Sequence, residues 1–177
     1  MATLTDFEFY EDLEQDIVSR LEAPLNSIDF NVVPLPDTES KFDKPQRQGL
    51  VTVTYRGSDY ADDLRTTDPV AQEETITIEL TVESKFRRNG PQGQGGVLSA
   101  ILLIRSLLLG YRPLDCKKMW GGQQDFDSYD DRLWAYGVTF QTSRLAVEKP
   151  EDVVEDLLTN ITVDDGTTAE SFDVNNS

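Results

Sequence analysis

From Glu74 to Ser84 the chain reads ETITIELTVES, in which Ile76, Ile78, Leu80 and Val82 alternate without a break with Thr75, Thr77, Glu79 and Thr81. Successive side chains of a β-strand point to opposite faces, so this stretch separates its apolar and polar halves only as a strand between a core and a polar surface. One strand needs partners, and two more runs supply them. GLVTVTYR sets Val51, Val53 and Tyr55 against Leu50, Thr52 and Thr54, and LWAYGVTFQT sets Trp134, Tyr136, Val138 and Phe140 against Ala135, Gly137 and Thr139. The small residues of the latter predict a helix packed closely on their side. The polar turn from Arg56 to Tyr60, with Gly57 inside it, is expected to end the first run. Ile28, Phe30 and Val32 alternate before two prolines, which marks a short strand at a sheet edge. A last strand is placed around Lys118 to Gln124, interrupted by Gly121 and Gly122.

Two helices accompany these strands. Phe9, Leu13, Ile17 and Leu21 recur every four residues, with Val18 widening the stripe, Asp6 as the expected cap and Pro24 as the expected end. VLSAILLIRSLLLGYRP is apolar on nearly every side and closed by Gly110 and Pro113, which predicts a central, heavily buried helix. Ile78, Leu80, Val53, Leu103 and Trp134 are the expected core. The whole is an α+β domain: a mostly antiparallel or mixed sheet of about four to five strands, packed with an N-terminal and a central helix.

At 177 residues the chain supports one core, placed at residues 1–147. From Glu148 onward nine acidic residues stand against one basic, which sets 148–177 apart as an acidic helix and arm. KPEDVVEDLLTNI puts Val153, Val154, Leu157 and Leu158 on one side of a short amphipathic helix, suited to anchoring the arm on a partner. The full chain holds 16 basic and 33 acidic residues, a net charge of −17, which disfavours gripping a nucleic-acid backbone. No apolar run is long enough for a membrane helix, and the N-terminus lacks the pattern of a signal peptide.

Catalytic and metal chemistry have little to work with. The chain has no histidine and one cysteine, Cys116, so familiar nucleophile triads, zinc sites and an internal disulfide are not expected. GPQGQGG precedes a helix but lacks the lysine and serine or threonine of a phosphate loop. DFDSYDD offers Asp125, Asp127, Asp130 and Asp131 in an expected loop, without the glycine and glutamate of a calcium hand. No cofactor and no metal is therefore expected, and a small acidic metal-dependent enzyme is the reading those aspartates would have to carry. Lys85, Arg87 and Arg88 form the densest basic cluster; they are either the solvated end of a strand or a contact for an acidic partner.

Read in order, YEDLEQDIVSRLEAPL, NVVPLPD, GLVTVTYRGSDY, QEETITIELTVES, a glycine-rich loop, LIRSLLLGYRPLDCKKM and DFDSYDDRLWAYGVTFQT resemble the tail terminator family of Mu-like contractile-tailed phages and prophages, from about Phe9 to Thr142. That resemblance implies a structural virion protein without catalysis, made in the host cytoplasm. It implies a homo-oligomeric, hexameric ring on the last layer of the tail tube, which stops tube and sheath growth and faces the head-side connector or stopper. DNA would pass through the ring without sequence-specific binding. Arg56 and Asp59, together with Lys85, Arg87 and Arg88, are then the expected oligomer or tube contacts, and the arm the sheath or neck contact. The acidic extension after Arg144 departs from the family pattern. Another neck protein, a connector or stopper, is the alternative role.

Overall fold

The sheet is ordered β1-β2-β3-β5-β4, with β1 Phe30–Pro34, β2 Gly49–Tyr60, β3 Ala71–Ser84, β4 Trp120–Asp130 and β5 Leu133–Val147. The computed structural model describes residues 8–35, 49–61, 71–91, 94–130 and 132–147. Helix α1, Phe9–Asn26, precedes β1, and α2, Val97–Leu108, lies between β3 and β4. β1 pairs parallel with β2 and the other pairs are antiparallel, so the sheet is mixed.

The alternation in β3 does what it predicts: Ile76, Ile78, Leu80 and Val82 are fully buried. In register with them, Val53 and Val51 on β2 and Phe140, Val138 and Tyr136 on β5 join one core with both helices. α1 lies against β1 and β2, while α2 lies against β3 and β5. Both helices therefore cover the same face. The helix expected over Ala135, Gly137 and Thr139 is not there. Gly137 instead leaves room for Glu79 of the neighbouring strand, whose Oε1 would stand 3.2 Å from a Cβ there, and Thr139 occupies the space over Gly122, where a Cβ would stand 2.5 Å from its Oγ1.

Several expected boundaries move. α1 starts at Phe9 with Glu8 as its N-cap, and Asp6 lies outside the described residues. The helix also runs past Pro24, although proline forfeits one backbone hydrogen bond. Fully buried Leu25 holds that last turn, and Ser27 Oγ donates to the Pro24 carbonyl at 2.6 Å. α2 is not buried all round. Val97, Ala100, Ile101, Ile104 and Leu108 face the core, but Leu102 is 64% and Leu109 48% exposed, because the sheet and α1 cover only part of the helix. Leu103 and Trp134, expected in the core, are half-buried at its margin.

β4 extends to Asp130, so Asp125 and Asp127 belong to a strand rather than to the expected loop. Every described side chain from Gly121 to Tyr129 is exposed, so nothing imposes an alternating pattern on its sequence. Its register shifts between Gly121 and Gln124, where Thr139 Oγ1 accepts from the Gln123 N–H at 2.6 Å.

Candidate functional site

β2 does not end at Arg56. Tyr55 pairs with Ile78 and Gly57 with Thr77, leaving Arg56 as the extra residue of a β-bulge. Gly57 has φ +139°, a backbone conformation that side chains disfavour, which is why a glycine stands there. The extra residue reverses the parity of the strand. Before it, Val51, Val53 and Tyr55 face the helices; after it, Ser58 and Tyr60 do, opposite Ile76 and Glu74. Arg56 is left on the far face, where its Nε lies 2.7 Å from Glu79 Oε2.

The parity change builds a buried polar centre. Glu74 is fully buried, and its Oε1 accepts from Tyr10 Oη at 2.5 Å and from Ser58 Oγ at 2.6 Å. Its Oε2 accepts from Arg144 Nε at 2.6 Å. The Arg144 guanidinium in turn lies 3.6 Å from the centroid of the Phe9 ring, and Tyr10 stacks on Tyr55 at 4.2 Å. The first turn of α1 is thereby clamped over the ion pair. Past the last β1–β2 bond, from Leu35 N–H to the Val53 carbonyl, the Tyr55 N–H donates to Glu14 Oε1 at 2.5 Å.

Burial opposes ionisation of Glu74, but hydrogen bonds from Ser58, Tyr10 and Arg144 outweigh it and hold the carboxyl below its ordinary range. Burial and the bond to Glu74 raise the Tyr10 phenol, which stays protonated as a donor. Burial likewise pushes the Cys116 thiol up to about 11. Both Glu74 oxygens are occupied and shielded from water, so the centre is a structural clamp that fixes α1 to three strands.

The predicted contact residues fall into two separate groups. Arg56 and Asp59 lie at the bulge end of β2, whereas Lys85, Arg87 and Arg88 follow the opposite end of β3. Thr77 to Ser84, the β3 partners of Gly57 and Gly49, span roughly 23 Å at about 3.3 Å per residue. Arg87 is not a freely solvated strand end. Its Nε donates to Tyr136 Oη at 3.1 Å, and its guanidinium lies 5.4 Å from the Trp134 ring centroid. Phe126 and Tyr129 extend that cluster on β4, with centroids 5.3 Å from Tyr136 and 4.4 Å from Trp134. Val153, Val154, Leu157 and Leu158 lie outside the described residues.

The glycine-rich loop spends its helix terminus on the chain itself. The N–H groups of Val97 and Leu98 donate to the carbonyls of Phe86 and Arg87, at 2.9 and 3.2 Å. A Cβ on Gly96 would stand 2.0 Å from the Arg88 carbonyl oxygen, so the close backbone crossing requires glycine. Asp127 is the extra residue of a second shift on β4, between Phe126 and Ser128, and no group of three potential metal ligands occurs among the described residues. None of the described helices is long and apolar enough to cross a membrane.

Glu74, Tyr10, Ser58 and Arg144 were missed by motif reading. The signal available was parity: Glu74 shares the inward register of Ile76 and Ile78, and Arg144 that of Phe140. Opposite charges in the inward register of two strands predict a buried pair.

The fold and its centre define a two-layer α+β protein with a sealed polar clamp beneath one helix. The Gp37 protein family model matches residues 17–165, and the chain belongs to that phage-related family. No curated protein matches it. Among solved structures, it is similar at 13% identity and a TM-score of 0.45 to a chain of the virion of a native gene transfer agent particle, over 77% of this chain and 95% of that one.

Proposed function

We propose that this chain is a structural protein of a phage-type virion and acts there as the tail terminator, a hexameric ring that caps the tail tube at the neck. The supporting observation is membership of the phage-related Gp37 family over residues 17–165. The ordered succession of segments that resembles tail terminators runs through the same stretch. In this role the ring halts tube and sheath growth and offers its other face to the head-side connector or stopper. An acidic chain of net charge −17 lets DNA pass with little adhesion. Residues 1–147 form the ring domain, and the acidic segment 148–177 reaches the sheath or a neighbouring neck protein through Val153, Val154, Leu157 and Leu158.

Co-sedimentation separates this role from that of another neck protein. The full chain is expected to pellet with purified tail tubes and to leave isolated portal complexes in the supernatant. Binding to portals but not to tubes would assign it to the connector or stopper instead.

A further inference from the structure

The two helices lie side by side on one face of the sheet and carry opposite charge. α1 has Glu11, Asp12, Glu14, Asp16 and Glu22 against Arg20, whereas α2 has Arg105 and no acid. At about 100° per residue, the positions of each helix fall on definable flanks. Asp16 accepts from Tyr111 Oη at 2.9 Å and Arg20 lies 5.1 Å from the Tyr111 ring centroid, so that flank of α1 faces the segment following α2. Exposed Glu11, Gln15 and Glu22 then occupy the flank turned away from α2.

α2 has an outward flank of its own. Leu98, Leu102, Arg105 and Leu109 follow one another at spacings of four, three and four residues and form a single stripe. Leu102 and Leu109 are 64% and 48% exposed, and Arg105 is also open to solvent. Leu109 adjoins β4, since a Cβ on Gly121 would stand 3.5 Å from its Cδ2. Arg112 and Lys118, exposed in the segment leading to β4, add positive charge against one exposed acid, Asp115. β4 itself is an edge strand paired only with β5 among the described residues. The outward flank of α2 and the segment that follows it are thus apolar and basic, whereas β4 carries exposed Asp125 and Asp127 and no basic residue, and the side carrying α1 is acidic.

We propose that the α2 stripe, centred on Leu102, Arg105 and Leu109, is the docking surface for a second copy of this chain, which presents its acidic α1 flank through Glu11 and Glu22. The inference rests on the ring-forming role above and assigns the surfaces that make the ring. Buried leucines supply the attraction, and the charges select the pairing. Stripe against stripe would bring Arg105 toward Arg105, and acidic flank against acidic flank would repel, so like surfaces do not pair. Two different surfaces on opposite sides of one subunit give a head-to-tail contact, which continues past a two-fold dimer and closes as a ring when the rotation between copies divides a full turn.

The test uses the full chain, with native mass spectrometry and light scattering over a concentration series, alone and with tail tubes. Wild type is expected to form closed oligomers. Leu102→Glu with Arg105→Glu in one chain, and Glu11→Arg with Glu22→Arg in another, are each expected to remain folded by circular dichroism and to be monomeric. Mixed together, the two variants are expected to associate, because one intact stripe meets one intact acidic flank and the reversed stripe and flank are also opposite in charge. Either variant assembling like wild type by itself, no association in the mixture, or a wild type monomeric under all these conditions would overturn the proposal. Another protein of the particle that binds the stripe while the α1 variant assembles normally would also overturn it. Wild-type rings that ignore tube ends, with both variants monomeric, would instead refute the capping role and leave the contact standing.

Discussion

Replacing Glu74 with alanine is expected to destabilise the fold by about 3 to 5 kcal/mol, the usual cost of breaking a buried ion pair from one side. The loss is large because four donors depend on one carboxylate: Arg144, Tyr10, Ser58 and, at a longer 3.4 Å, Tyr60. Arg144, whose side chain is 20% exposed, keeps its charge with no counter-ion, and Tyr10 and Ser58 lose their acceptor. Glu74→Gln keeps an acceptor oxygen and is expected to cost less. Replacing Glu74 and Arg144 together by apolar residues of similar volume is expected to recover much of the loss, because no buried charge is then left alone. The pH dependence has a definite sign. The folded carboxyl is held below its ordinary value of 4.5, so its contribution is fully present above the unfolded value and fades as pH falls through the folded one. Urea melts of wild type and Glu74→Gln at neutral pH and near pH 3 should therefore differ by less in acid. An equal difference at both would contradict a clamp that depends on ionised Glu74.

Leu80→Ala is expected to cost about 2 to 5 kcal/mol, since it removes a fully buried side chain from the central strand and leaves a cavity between the sheet and the helices. Leu103→Ala, at the half-buried margin of α2, should cost about 1 kcal/mol. The contrast is as informative as either value. Equal losses at the two positions in urea melts would mean that the core does not lie where the sheet register puts it.

The parts of the fold that were legible in sequence are those whose environment differs from face to face. β3 is polar on one side and buried on the other, so its alternation is complete; α1 shows its stripe for the same reason. β4 is exposed throughout its described side chains, so it carries no periodic signal, and its glycines and aspartates read as loop. At Arg56 to Tyr60 the polar residues and Gly57 suggested a turn, because a bulge and a turn both use glycine at positive φ. The strand continues beyond it, and the error concealed the Glu74 centre, since the inward residues change from odd to even numbers there. The apolar run of α2 suggested burial on all sides, whereas Leu102 and Leu109 remain on an open flank. Neither composition nor period distinguishes a leucine kept for the core from one kept for another molecule.

Tail length tests the central claim most directly. Particles assembled without this chain should, by electron microscopy, show tails of unregulated length detached from heads, and supplying the wild-type chain should restore a single length and head attachment. Headless tails of one normal length in its absence would show that something else ends the tube and would contradict the account.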